Sequence, residues 1–573
     1  MIEKYTSHLL LTNSSRFLLI SAAMDAILAE ATAYGRRQRL RTMTEGLDLN
    51  CVYGATIKRI TEQGGEKSRL GRAALMWISH SERQLQLDEL SHALAVEIGS
   101  AVLVAEKIPS VETLLSSCLG LVVIGSGASA VNLIHPTLRD YLYTCPDLFG
   151  SAHSIMAETC LTYLNFQTIK NISPTLLPLP PSAHFLKYSS LYWGIHARRK
   201  ASDEVVLLAL KLFSQIESHI STKLLLVDLI SRTGRCSRDI PIRGPLEGFT
   251  GLHCASILGI VEIVTALMGQ PNCELNKRDF MGITPLIWAA ICGQGEVAKL
   301  LLERRTVIPD KSDRWFRRTA LSWAAGKGDE GVVEALLGRT SAKHDGWWGK
   351  AVRVIDIVRG RRYVNPNKPD KYGQTPILLA AEDGHEGVVK LLLRRSDVKP
   401  DAADGYGRTP LLLASSKGRE EVVKLLLEQG DVSIDKPDKS GQTPLLAAAE
   451  GGSERVVALL LGRKDINPNE RSKAGRTPLW LASSNGHDGV VRLLLEREDL
   501  NPDMPDNRGQ TPLSLAAENG HERVLELLLG RDDVNPNKPD KDGRTPLSLS
   551  SKNRNKPAVE LLQARKRANP NTT

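Results

Sequence analysis

No two of the eight cysteines form a Cys-x-x-Cys pair, and none lies between positions 375 and 544. That usage excludes a disulfide framework and a thiolate zinc site, and it suits reduced thiols in a reducing compartment. No apolar run approaches the roughly 18 residues that a bilayer span needs. Phe17–Met24 comes nearest, but it is short, lies on a longer helical pattern and follows Glu3, Lys4 and Arg16. It reads as a soluble helix rather than as the core of a secretion signal. There is no Gly-x-Ser-x-Gly elbow, and His385-Glu386 and His521-Glu522 lack the second histidine of a His-Glu-x-x-His zinc motif. Serine-hydrolase and zinc-protease chemistry are therefore not indicated. The net charge of +9 is not gathered into a patch, since Lys and Arg interleave with acids, as in Lys-Pro-Asp-Lys at 368–371 and 538–541. That pattern reads as a solvated surface, and no nucleic-acid partner is expected.

What the chain has instead is a period. A Thr-Pro-Leu-like helix start recurs at Thr375, Thr409, Thr443, Thr477, Thr511 and Thr545, every 34 residues. Fainter copies stand at Thr250, Thr284 and Thr319. In the unit that starts at Gly509, Thr511 is a helix N-cap and Pro512 fits the first helical position, where no N–H is needed. Ala516 and Ala517 permit close helix packing, and Gly520 permits the left-handed turn that ends the first helix. Val524, Leu525, Leu527, Leu528 and Leu529 give a second helix its core face. The following Asp-Asp-Val-Asn-Pro-Asn and Lys-Pro-Asp-Lys-Asp-Gly read as a turn-rich finger. Such a repeat predicts a mainly α stacked solenoid, a surface for holding something rather than a pocket for chemistry.

These motifs resemble ankyrin repeats over about 248–573, with Thr-Pro-Leu-His-x-Ala, Gly-His and a Val-Val-x-Leu-Leu-Leu helix in register. The motif histidine survives only at His253, and 56 residues separate Thr319 from Thr375, so an insertion near 340–363 is expected to bulge from the array. The last unit has Arg554 in place of Gly, then Pro557 and Arg565-Lys566-Arg567, as suits a polar cap. The resemblance implies protein binding by finger tips and inner helices. Exposed partner-binding candidates are Tyr372, Tyr406, Arg471 and Arg508 on fingers and Trp480 on an inner helix, because Tyr, Trp and Arg dominate interface energetics. His385, His487 and His521 follow a Gly at helix turns and are read as structural.

The first 240 residues do not repeat. Leu70–Ile78, Leu87–Ile98 and Val111–Leu119 read as helices, and 120–124 and 130–134 alternate like strands across a Gly-Ser-Gly-Ala-Ser hairpin signal. Three helices and a hairpin predict a winged helix, with longer helices at about 151–169, 184–200 and 203–231. Its third helix carries Glu112 and no Lys or Arg, which argues against DNA binding. Ser15-Arg16-Phe17-Leu18-Leu19, Leu75-Met76-Trp77-Ile78, Cys118-Leu119-Gly120-Leu121-Val122, His135-Pro136-Thr137-Leu138-Arg139-Asp140-Tyr141-Leu142 and Tyr192-Trp193-Gly194-Ile195-His196-Ala197 follow one another in order. Together they resemble the segment joining NACHT to ankyrin repeats in fungal NOD-like receptors, whose winged helix is also named after GPI inositol-deacylase-like proteins. The resemblance implies a NACHT-derived tail at 1–67, a winged helix at 68–150, a helical domain at 151–235, a linker at 236–247 and the array at 248–573. His135 matches the family's nucleotide-sensing histidine. A NACHT ATPase also needs a Gly-x-x-x-x-Gly-Lys-Ser/Thr loop, and no such string is present, so His135 is read as a relic and no cofactor is expected. Cys118 is read as a buried inert thiol, not as the partner of His135 in a catalytic pair.

The expected function is a non-catalytic interaction scaffold in the cytoplasm, with the nucleus as the alternative site, binding a protein of unspecified identity. No metal, small-molecule substrate or membrane span is expected. Two alternatives accompany it: the C-terminal part of an ATP-dependent NACHT receptor, and a regulatory ankyrin protein of a fungal metabolic gene cluster.

Overall fold

The computed structural model describes residues 49–125, 129–173, 180, 182–233, 246–338 and 364–568, together with Thr32. The motif at 15–19, the expected helix at 17–24 and the insertion near 340–363 lie outside the described residues, as does most of the expected linker at 236–247. The chain forms two compact units, Met1–Cys273 and Glu274–Thr573. No described helix is long and apolar enough to cross a membrane.

In the first unit, α1 (Leu49–Glu62) packs on α2 (Gly65–His80), whose Leu75, Trp77 and Ile78 are buried. Then come α3 (Leu87–Ala95), α4 (Val111–Ser117), the strands β1 (Val122–Ile124) and β2 (Val131–Leu133), and α5 (Pro136–Tyr143). The strands pair antiparallel, Val122 with Leu133 and Ile124 with Val131, which completes a winged helix. α4 stops two residues short of the predicted end because Leu119 and Gly120 take positive φ.

The predicted helices at 151–169 and 203–231 are each broken in two. The first gives α6 (Ala152–Leu164) and α7 (Gln167–Lys170). At the break, the Asn165 amide donates to Leu161 O and to Leu208 O, both at 2.9 Å, and so diverts the chain to a remote partner. The second gives α9 (Asp203–Phe213) and α10 (Ile220–Thr233), after α8 (Leu186–Arg199). Between them, buried His219 bonds Leu164 O through Nε2 at 3.0 Å.

The first repeat, α11 (Gly251–Leu258) and α12 (Val261–Met268), belongs to this unit and packs on α8 and α9. The approach is close. A β-carbon on Gly194 of α8 would lie 2.6 Å from Leu258, and one on Gly251 would lie 2.7 Å from the Phe213 β-carbon.

Among the described residues, the second unit stacks eight helix pairs. Their inner helices are α13 (Pro285–Ile291), α15 (Ala320–Lys327), α17 (Pro376–Asp383), α19 (Pro410–Ser416), α21 (Pro444–Glu450), α23 (Pro478–Asn485), α25 (Pro512–Asn519) and α27 (Pro546–Lys552). Each is followed by an outer helix, from α14 (Gly295–Glu303) and α16 (Glu330–Gly338) through α18 (Glu386–Leu393), α20 (Glu420–Leu427), α22 (Glu454–Leu461), α24 (Asp488–Leu495) and α26 (Glu522–Leu529) to α28 (Lys556–Ala568). Most threonine caps act as the sequence implies: Thr409 Oγ1 accepts from Leu412 N at 3.2 Å, and Thr477 Oγ1 from Trp480 N at 3.1 Å, whereas Thr375 makes no side-chain cap bond. Val456, Val457 and Leu460 exemplify the buried face of each outer helix. α15 packs directly on α17 and α16 on α18, so the stack is unbroken across the long spacing after Thr319.

Candidate protein-interaction surface

Most fingers are turns built around one carboxylate. Asp404 Oδ1 accepts from the backbone N–H groups of Tyr406 and Arg408 at 2.8 and 2.9 Å. Asp279, Asp370, Asp506 and Asp540 repeat the arrangement. In the Ser472 turn the hydroxyl accepts from Arg476 N at 3.2 Å instead. The second oxygen of Asp404 takes Arg408 Nε at 2.9 Å, that of Asp279 takes the Trp288 indole at 2.8 Å, and that of Asp370 takes Arg318 Nε at 2.9 Å. Burial pushes the Asp279 carboxyl up to about 6, against the pull of these donors. The turns are legible in the sequence; the carboxylate's only signal there is its position five residues before most of the helix-capping threonines.

Neighbouring fingers are stitched by backbone bonds. Arg314 N donates to Met281 O at 3.0 Å, Lys371 N to Phe316 O at 2.8 Å, Gly405 N to Tyr372 O at 2.8 Å and Lys439 N to Tyr406 O at 2.9 Å. The line continues to Ser440, Ala474 and Arg508. The tips are therefore held at a fixed spacing, and their side chains form a pre-organised row.

The five partner-binding candidates separate on this frame. Tyr372 and Tyr406 project from neighbouring tips and are 40% and 58% exposed. Arg508 is exposed two fingers further on from Ser440. Arg471 is exposed too, but its guanidinium is occupied with Gly475 O at 3.1 Å and Pro505 O at 2.9 Å, which makes it a staple between fingers. Trp480 corrects the expectation of an exposed residue, being 6% exposed and packed with Leu446, Leu481 and Leu515. Its indole N–H donates to Gln510 O at 3.0 Å in the next finger, and Arg476 covers the ring at 4.7 Å. Trp315, not singled out from sequence, is 42% exposed on the tip before Tyr372.

The remaining candidates have structural duties. His487 and His521 bond Glu450 O at 3.1 Å and Ser484 O at 3.0 Å, across to the preceding repeat. His135 is the N-cap of α5, its Nδ1 accepting from Thr137 N at 3.3 Å. Cys118 is fully buried, and burial pushes its thiol up to about 12, which leaves no reactive thiolate. Among the described residues no group of His, Cys, Asp and Glu is placed to hold a metal.

Stacked helix pairs with capped inner helices and laterally bonded fingers define a repeat solenoid, a class whose conserved output is surface rather than cavity. A family model described as "Ankyrin repeats (3 copies)" matches residues 221–313, 252–346, 350–438, 431–504 and 498–573. The chain belongs to the ankyrin repeat family, and its array is a protein-interaction module. A second model, "GPI inositol-deacylase, winged helix domain", matches residues 59–151. Among curated proteins, the putative ankyrin repeat protein YahD of Escherichia coli is 29% identical over 167 residues, which are 26% of this chain and 80% of that protein. The human transient receptor potential cation channel subfamily A member 1 is 27% identical over 220 residues, 30% of this chain and only 18% of the channel.

Proposed function

We propose that this protein is a non-catalytic scaffold that holds a protein partner on its ankyrin fingers and inner-helix face, with a winged-helix and helical stem derived from a fungal NOD-like receptor. The observation that carries the reading is the row of exposed rings at Tyr372 and Tyr406, fixed by the backbone bonds between fingers. Large exposed aromatics presented rigidly lose little side-chain entropy on binding, as interface anchors require. The division into tail, winged helix, helical domain, linker and array at the boundaries read from sequence forms part of this proposal, as does a cytoplasmic location.

A photo-crosslinking residue placed at Tyr372, at Tyr406 or at Arg508 in the full chain tests it. Cross-links to one protein from these positions, and not from an outer-helix position such as Arg455, support the reading; equal labelling from all of them defeats it. The winged-helix match at 59–151 favours a second reading, an ATP-dependent receptor of which this chain is a part. An in-frame phosphate-binding loop upstream in the transcript would decide for it.

A further inference from the structure

The finger tips are not alike. Aromatic side chains occupy neighbouring tips at Trp315 and Phe316, Tyr372 and Tyr406, and the row then turns small or polar at Ser440, Ala474, Arg508 and Asp542. On the aromatic stretch the outward charge is of one sign. Arg314, Arg317 and Lys371 are exposed, and among the described residues none of the three is in an ion pair. The acids of the same turns are spent inward. Asp313 accepts from Phe316, Arg317 and Arg318 N–H groups and from the Trp323 indole, while Asp370 and Asp404 bind their own turns and Arg318 or Arg408. Arg408 is neutralised by Asp404 at 2.7 Å, but Lys371 is not neutralised.

The rings and cations are also coupled. Lys371 Nζ lies 5.2 Å from the Tyr372 ring and 5.8 Å from that of Phe316, and Arg408 lies 5.1 Å from the Tyr406 ring. A cation thus sits over each of these rings, while Tyr372 and Tyr406 remain exposed. Ring edges carry the positive part of the quadrupole, and hydroxyls donate. The Asp313 turn is one residue longer than its neighbours, and Arg317 holds φ +58° where the others have Gly, which sets one more cation at the tip.

We propose that the tips carrying Trp315, Tyr372 and Tyr406, with Arg314, Arg317 and Lys371, are a docking surface for an acidic, extended segment of the protein partner. The inference rests on the finger reading given under Proposed function and narrows it to one chemistry. A basic or neutral segment would bury three cations without compensation, whereas carboxylates meet donors and positive ring edges. Apolar side chains between the carboxylates pack on the ring borders. Stacked nucleobases fit less well, because a cation already occupies a face of Tyr372 and of Tyr406.

The test titrates the full chain with three labelled peptides that alternate Leu with Glu, Gln or Lys. The Glu peptide is expected to bind, and Lys371→Glu combined with Arg314→Glu to weaken it by about tenfold or more. Tyr406→Ala is expected to weaken it too, while Lys473→Glu with Lys541→Glu, on fingers without aromatic tips, leaves it unchanged. Equal binding of the Gln peptide, indifference to the reversal at 314 and 371, or displacement by a single-stranded oligonucleotide at equal charge would overturn the proposal. The cross-linking experiment separates the two levels. Adducts from 372 and 406 that map to neutral or basic partner segments sink the acidic docking surface and leave the finger reading standing, whereas no specific adducts at all sink both.

Discussion

Arg199 Nη1 lies 3.1 Å from His153 Nε2, and because a guanidinium only donates, that distance sets the protons of a whole chain of groups. His153 Nε2 must accept, so its Nδ1 carries the hydrogen and donates to His196 Nδ1 at 2.9 Å. His196 Nε2–H then donates to Tyr188 Oη at 3.0 Å, which also accepts from Glu82 N at 3.2 Å. The chain joins α6 and α8 to the end of α2 in the winged helix, where Glu82 meets Arg199 at 2.6 Å and His80 packs edge-on against His153. It requires both imidazoles to be neutral. Burial pushes His196 down to about 3 and His153 down to about 4, and Arg199 and His80 act in the same direction.

The first unit is therefore expected to be acid-sensitive. The folded pKa values lie below the ordinary histidine value of 6.5, so the unfolded chain binds more protons once the pH falls below it. Stability is complete above about pH 6.5 and is lost progressively toward pH 4, by on the order of 3 kcal/mol for His196. Buried Asp279 in the array works oppositely, since its pKa is raised to about 6 and its penalty is relieved as the pH falls. Hydrogen exchange of the full chain across this range checks the difference. Peptides from 152–199 are expected to lose protection before those from 376–529, and His196→Leu to flatten the response. Simultaneous loss in both units would contradict it.

Trp480 and Tyr406 are expected to fail in opposite ways. Trp480→Ala empties space among Leu446, Leu481 and Leu515 and strands Gln510 O, so a loss of about 3–5 kcal/mol is expected, confined to the repeats around α23. Tyr406→Ala removes an exposed ring and is expected to change stability by no more than about 0.5 kcal/mol while weakening partner capture. Urea melts of each variant, run beside the cross-linking assay, make the comparison. A Trp480→Ala protein with native stability and no capture would restore it as a contact residue.

The contrast shows where sequence reading reaches its limit. The threonine caps, the prolines after them and the glycines at the turns are local chemistry, and the structure has them where the 34-residue period puts them. The winged helix was legible for the same reason, through short-range alternation. The fate of Trp480 was not, because its partners Leu446 and Leu515 belong to adjacent repeats. Nor were the helix breaks at Asn165 and His219, whose partners Leu208 and Leu164 lie 43 and 55 residues away. The His153–His196 pair is likewise built from helices 43 residues apart, and no motif announces it.

Two glycines at the seam between the first repeat and the helical segment are expected to differ in tolerance. At Gly194 an added β-carbon meets the δ- and γ-carbons of the Leu258 side chain, which is half-buried and able to rotate away. At Gly251 it meets the β- and γ-carbons of buried Phe213, which cannot retreat without moving α9. Gly251→Ala is expected to cost about 1–3 kcal/mol and Gly194→Ala clearly less. Thermal melts followed by exchange in 251–268 would decide the order, and the reverse ranking would show that α9, not Leu258, is the yielding partner.

The end of the array holds a defect that a single substitution should repair. Gly520 ends α25 at φ +75°, and the corresponding residue after α27 is Arg554, at φ +59°. A side chain in the left-handed region crowds its own backbone and costs about 1–2 kcal/mol, part of which a glycine returns as extra freedom in the unfolded chain. The Arg554 side chain is exposed, so its removal opens no cavity. Arg554→Gly is therefore expected to stabilise the last pair by about 0.5–1 kcal/mol. Because repeats are coupled to their neighbours, the gain should appear as slower exchange in α27 and α28, fade through α25 and α26, and leave α13 unchanged. Faster exchange in α28 would mean that the arginine holds the terminal helix in a way the backbone argument does not capture.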